Sequence, residues 1–90
     1  MKLYSIVFTI QHLSGQRVSN DAMVITQKIR GRSAYAIKWD WARLNSYKNK
    51  AEVFEGADER EAIQNFISKH IDWCDVRLEM MSKICMNDYR

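Results

Sequence analysis

The hydrophobic period of this chain changes after its first half. Up to about residue 42 apolar side chains recur at every second position, and from Asp58 they recur at i, i+3 and i+4. Period two is the signature of half-buried strands, and the later stripe is that of an amphipathic helix. A few strands followed by one such helix confine a short chain to a sheet with the helix laid across one face.

Leu3 to Gln11 reads as the first strand, with Tyr4, Ile6, Phe8 and Ile10 on one face and β-branched and aromatic residues dominant. Ser14-Gly15-Gln16 breaks it. Ala22 to Ile29 is a second alternating run, Arg30-Gly31-Arg32 a turn signal, and Ser33 to Ala42 a third run with Tyr35, Ile37, Trp39 and Trp41 on one face. Register between the second and third runs decides which side chains share a surface, because a slip of one residue exchanges the faces. A three-residue loop gives the most coherent apolar face. It sets Met23, Ile25 and Ile29 with the third run's rings, and leaves Thr26, Lys28, Ala34, Ala36, Lys38 and Asp40 on a basic opposite face. A two-residue loop would instead place Val24, Thr26 and Lys28 beside the rings.

Leu44 to Lys50 reads as a polar connection and Ala51 to Glu55 as a short fourth strand. Asp58 is placed to cap the helix, with Glu61 at the capping-box position and acids at 58, 59 and 61 suited to the positive end of its dipole. Ala62, Ile63, Phe66, Ile67 and His70 or Ile71 form the stripe. Beyond Asp72, Cys74, Val76, Leu78 and Met80 alternate with Asp75, Arg77 and Glu79, which favours a strand. A continued helix through Cys74, Leu78, Met81 and Cys85 is the alternative. The expected fold is therefore α+β, one domain over residues 1–90. It has an antiparallel-rich sheet of four to five strands with one amphipathic helix on one face, in the order β-β-β-β-α-β.

Ninety residues with no Pro and three Gly leave no room for a flexible linker, and an apolar share of 47% suits a packed domain. The N-terminal apolar run is interrupted by Ser5, Thr9 and Gln11, unlike a signal sequence or a membrane span. Two cysteines, Cys74 and Cys85, do not make a secreted disulfide framework, so reduced thiols and a cytoplasmic setting are expected.

The formal charge is +3 and is uneven along the chain. Lys28, Arg30, Arg32, Lys38, Arg43, Lys48 and Lys50 fall in one stretch opposed only by Asp40, a block able to attract phosphate or an acidic protein surface. Trp73 lies outside the helical stripe and is a candidate anchor at a partner contact. Met80, Met81 and Met86 offer adaptable apolar surface. Trp39 and Trp41 are expected in the core, since a small domain gains most by burying its largest rings.

Catalytic chemistry finds little to stand on. His12 and His70 lie in no nucleophile–base motif, and a His at a helix end suits the dipole. Cys74 and Cys85 lack zinc-site spacing, Asp75 and Glu79 alternate towards solvent, and Gly15, Gly31 and Gly56 are too scattered for a phosphate loop. No enzyme, cofactor, metal or small-molecule substrate is expected. The reading is a binding protein, a small inhibitor or adaptor that occupies another protein or a ribonucleoprotein through its basic surface, as accessory proteins of mobile elements do. The alternative is sequence-nonspecific RNA binding through phosphate contacts. An exposed edge strand, if the first or the last strand is one, would also allow two copies to pair as a homodimer.

Overall fold

The computed structural model describes residues 1–41, 51–71 and 74–85. Its elements are β1 (Lys2–Gln11), β2 (Arg17–Lys28), β3 (Ala34–Trp41), β4 (Glu52–Glu55), α1 (Glu59–His70) and β5 (Asp75–Ile84). The expected order and class are found: a five-stranded antiparallel sheet in the spatial order β4-β3-β2-β1-β5, with one helix packed on it. The segment after Asp72 resolves as a strand, so the helical alternative for 75–84 is excluded.

β4 and β5 are the two edges, and α1 is the link between them. The helix therefore has to cross the whole sheet. It touches β5, β4 and β3, so both edges reach it and the sheet curls around it. Its start is as the sequence dictates: Asp58 is extended and its carboxylate accepts from the Glu61 N–H at 2.9 Å. Ala62, Ile63, Phe66 and Ile67 form its buried stripe. Gly56 permits the entry, because a Cβ there would sit 2.5 Å from the Ala62 nitrogen.

The concave face holds the core: Tyr4, Ile6 and Phe8 from β1, Ala22 and Val24 from β2, Tyr35 and Ile37 from β3, Phe54 from β4, and Val76 and Leu78 from β5. Phe66 is its pivot, with ring centroids 5.3 Å from Trp39 and 5.4 Å from Phe54, both edge-to-face. Trp39 takes the core place expected of it, partly buried at the margin of the cluster. The side chain of Trp41 is outside the described residues.

One expectation is overturned. Val24 pairs with Trp39, Thr26 with Ile37 and Lys28 with Tyr35, so the register is the one set aside on apolar content. Four residues, not three, close the hairpin: the Ile29 N–H donates to the Ala34 carbonyl at 2.9 Å, and Gly31 takes φ +77° within the turn. The physical reason is volume. β2 is the central strand, beneath the helix and between the rings of β1 and β3. Its inward set is the small one, Ala22, Val24 and Thr26, each at most 1% exposed. Met23 and Ile25 turn to the convex face, while Thr26 and Lys28 join the concave side rather than the basic face expected of them.

β5 departs from simple alternation at one point. The register against β1 shifts between Val7 and Phe8, so Leu78 faces Phe8, Met80 faces Val7 and Glu79 is the extra residue. After this bulge Met81, not Met80, packs against the core, and Met80 is 57% exposed.

Truncating the pivot should be severe. Phe66→Ala is expected to lose about 3–5 kcal/mol, read from the urea midpoint of the circular dichroism signal, whereas truncation of exposed Met80 should leave the midpoint within the error of the measurement.

Candidate functional site

The predicted basic site divides in two. Lys28, Arg30 and Arg32 stay together at the β2–β3 turn, while Lys38 lies on the convex face opposite Ile25. Arg43, Lys48, Lys50 and Trp73 lie outside the described residues.

At the turn, Lys28 is largely committed to structure. Its ammonium donates to the carbonyls of Ile29 (3.4 Å) and Arg32, and sits 5.4 Å from the centre of the Tyr35 ring, a cation–π distance. Arg32 approaches Glu55 at 4.0 Å. Arg30 is exposed and has no ion-pair partner among the described residues. The turn thus presents guanidinium groups outward while the lysine holds its backbone.

Beside the turn is a recess of about 310 Å3 lined by Met1, Lys2, Thr26, Lys28, Tyr35 and Glu59. Glu59, in the first turn of the helix, accepts from the Tyr4 hydroxyl at 3.2 Å and lies 3.6 Å from the Lys2 ammonium. Burial, and then the Glu59 charge and hydrogen bond, push the Tyr4 phenol up to about 12. Burial and the charges of Glu59 and Asp58 raise Tyr35 as well. Both phenols therefore stay neutral at physiological pH, and Glu59 is occupied as an acceptor. The sequence reading missed this group because its members are far apart in the chain and each fits a strand or a helix start.

The convex face is a second surface. Val7, Met23, Ile25, Ala36 and Val53 alternate onto it with Lys38 among them, while Leu3, on the same side, is fully buried. Val53 is 49% exposed. A shallow recess of about 90 Å3 lies between Met1, Ile25, Gln27, Ala36, Lys38 and Ala51. At the far end the face becomes polar, where Glu79 accepts from Thr9 Oγ1 at 3.0 Å and lies 3.5 Å from Arg17. Among the described side chains the aromatic rings Tyr4, Phe8, Tyr35, Trp39, Phe54 and Phe66 all lie on the concave side or the helix, so none stands on the convex face.

His70 does more than end the helix. Its ring packs against Phe66 (4.9 Å), Trp39 (5.6 Å) and Phe54 (6.4 Å). Its Nε2 lies 2.9 Å from Glu52 Oε1, a close approach without the alignment of a hydrogen bond. Lys69 donates to the other Glu52 oxygen at 3.0 Å. The Lys69 hydrogen bond first, and the nearby His70, hold the Glu52 carboxyl below its usual range against the opposing effect of burial. This cluster ties the helix end to β4. Cys74 and Cys85 flank β5, and a ten-residue strand holds them about 30 Å or more apart. Among the described residues no three His, Cys, Asp or Glu side chains gather as a metal site, and no helix is long and apolar enough to cross a membrane.

No protein-family model, curated protein or solved structure matches this chain.

The Tyr4 phenol gives an alkaline signature. A group whose pKa is raised on folding contributes stability that is complete below its unfolded pKa of 10.0 and is lost as the pH rises through about 12. The melting temperature should fall across that window, and less steeply in Tyr4→Phe. Equal slopes for the two proteins would contradict the burial assigned to this phenol.

Proposed function

We propose that this protein is a non-enzymatic binding module, an inhibitor or adaptor that occupies a partner protein. The surface it uses is the convex face of its sheet together with the Arg30–Arg32 turn. The observation that carries this reading is the one-sided packing of the fold. The helix covers only the concave face, and the other face carries apolar side chains around Lys38, with exposed guanidinium groups at the turn. An apolar centre with a charged rim is the composition of a protein interface. The partner implied by charge is a protein surface with carboxylates around an apolar ridge.

RNA binding is the weaker reading. Single-strand binders stack bases on exposed rings beside a cationic groove. Here the described rings are committed to the core, and Lys28 is engaged by carbonyl groups within its own turn.

The test is affinity capture with the full chain, with and without nuclease, followed by direct titration of the protein captured. Nuclease-insensitive capture is expected, with affinity at least tenfold lower for Arg30→Glu/Arg32→Glu and for Lys38→Glu/Val53→Asp while both variants keep the wild-type melt. Capture abolished by nuclease, or titration unchanged in both variants, would reject the proposal. Direct binding of labelled RNA that weakens steeply with salt would put the alternative in its place.

A further inference from the structure

The helix closes one edge of the sheet over only half its length. β5 is an edge strand, and its outward backbone groups would otherwise be open to pairing. Gln64 behaves as a substitute strand. Its amide nitrogen donates to the Val76 carbonyl at 2.9 Å, and its oxygen accepts from the Leu78 N–H at 2.7 Å. Arg60 donates to the Leu78 carbonyl at 3.0 Å. Val76 and Leu78 are thereby sealed by side chains of α1.

The seal ends at the bulge. Val76 and Leu78 point their backbone groups away from β1, so their partners Ile10 and Phe8 form the non-hydrogen-bonded pairs with β5. Alternation along β1 then makes Ile6↔Met81 and Tyr4↔Lys83 non-hydrogen-bonded pairs too. The N–H and C=O groups of Met81 and Lys83 therefore also point outward. No side chain of the described residues caps them.

We infer that Met80–Ile84 is a self-pairing edge through which two copies of this chain associate, β5 against β5, antiparallel about a two-fold axis at Ser82. The segment is complementary to its own reverse. Antiparallel pairing about Ser82 sets Met80 against Ile84 and Met81 against Lys83, so no lysine meets a lysine and exposed Met80 gains an apolar neighbour. Met81 and Lys83 exchange the backbone bonds, and Ser82 meets Ser82 as a close non-hydrogen-bonded pair. The interface is isologous, as a two-fold axis requires. It joins the two five-stranded sheets into one. The strip is short, so the dimer is concentration-dependent. This inference is independent of the binding role proposed above, since it concerns an edge of the sheet and not its convex face.

Geometry supplies a direct test. Cα atoms of a non-hydrogen-bonded antiparallel pair lie about 4.5 Å apart, within the span of a disulfide. In a Cys74→Ala/Cys85→Ser background, Ser82→Cys should oxidise to a covalent dimer at least tenfold faster than Ser19→Cys, an exposed position near the start of β2 and remote from β5. Sedimentation of the wild-type chain should show a monomer–dimer equilibrium. Ser82→Lys, which sets two ammonium groups at the axis, should remain monomeric with an unchanged melt. A wild-type chain that is monomeric up to millimolar concentration, or equal oxidation rates at positions 82 and 19, would overturn the inference.

Discussion

Everything in this fold follows from one helix having to satisfy both edges of one sheet. α1 joins β4 to β5, the outermost strands, so its apolar stripe meets the concave face while its flanks reach the edges. Gln64 and Arg60 bond the backbone of β5 on one flank. On the other, Asn65 donates to the Glu55 carbonyl at 2.8 Å and Lys69 to the Glu52 carboxylate at 3.0 Å. These bonds sit at the rim of a core centred on Phe66, where rings from β3, β4 and α1 meet edge-to-face. The helix thus acts both as core filler and as edge guard, and the sheet is curled because both of its edges are held to one rod.

That arrangement explains what could be read from the residues and what could not. β1 and α1 were legible because each carries a regular inward set: Tyr4, Ile6 and Phe8 alternate inward, although Leu3 on the other side is buried too, and Ala62, Ile63, Phe66 and Ile67 form one stripe behind the Asp58 cap. The strand at 75–84 was legible from Val76 and Leu78. The bulge at Glu79 was not, since it is imposed by pairing with β1. The β2–β3 register misled because apolar content favoured Met23 and Ile25. Under a helix, fit is decided by volume, and the central strand needs Ala22, Val24 and Thr26. A rule that weighed size as well as polarity would have chosen the other register.

The same register redistributes the candidate site. Lys28 leaves the open face to brace its own turn over Tyr35, and Ile25 and Met23 take its place around Lys38. What was expected as a basic plane is instead a mixed face, apolar around Met23, Ile25 and Ala36 beside the polar Ser5, Asp21 and Gln27, with a cationic end. On the binding role proposed above, this shift favours protein over phosphate as the partner. Phosphate recognition depends on cations and gains from exposed rings, whereas a protein interface is built from an apolar centre and a charged rim. The clusters around Glu59 and Glu52 hold the two ends of the helix to the sheet, and their residues are charged for that reason.

The pairing of β2 with β3 is the claim on which the assignment of faces rests, and backbone nuclear Overhauser effects measure it directly. Ile29↔Ala34 is a hydrogen-bonded pair, so Val24↔Trp39 and Thr26↔Ile37 are the close, non-hydrogen-bonded ones. Strong Hα–Hα cross-peaks joining Val24 to Trp39 and Thr26 to Ile37 are the expected result. Cross-peaks joining Ile25 to Ile37 or to Trp39 would mean that the even register holds, that Lys28 and Lys38 share a face, and that the account of both surfaces is wrong.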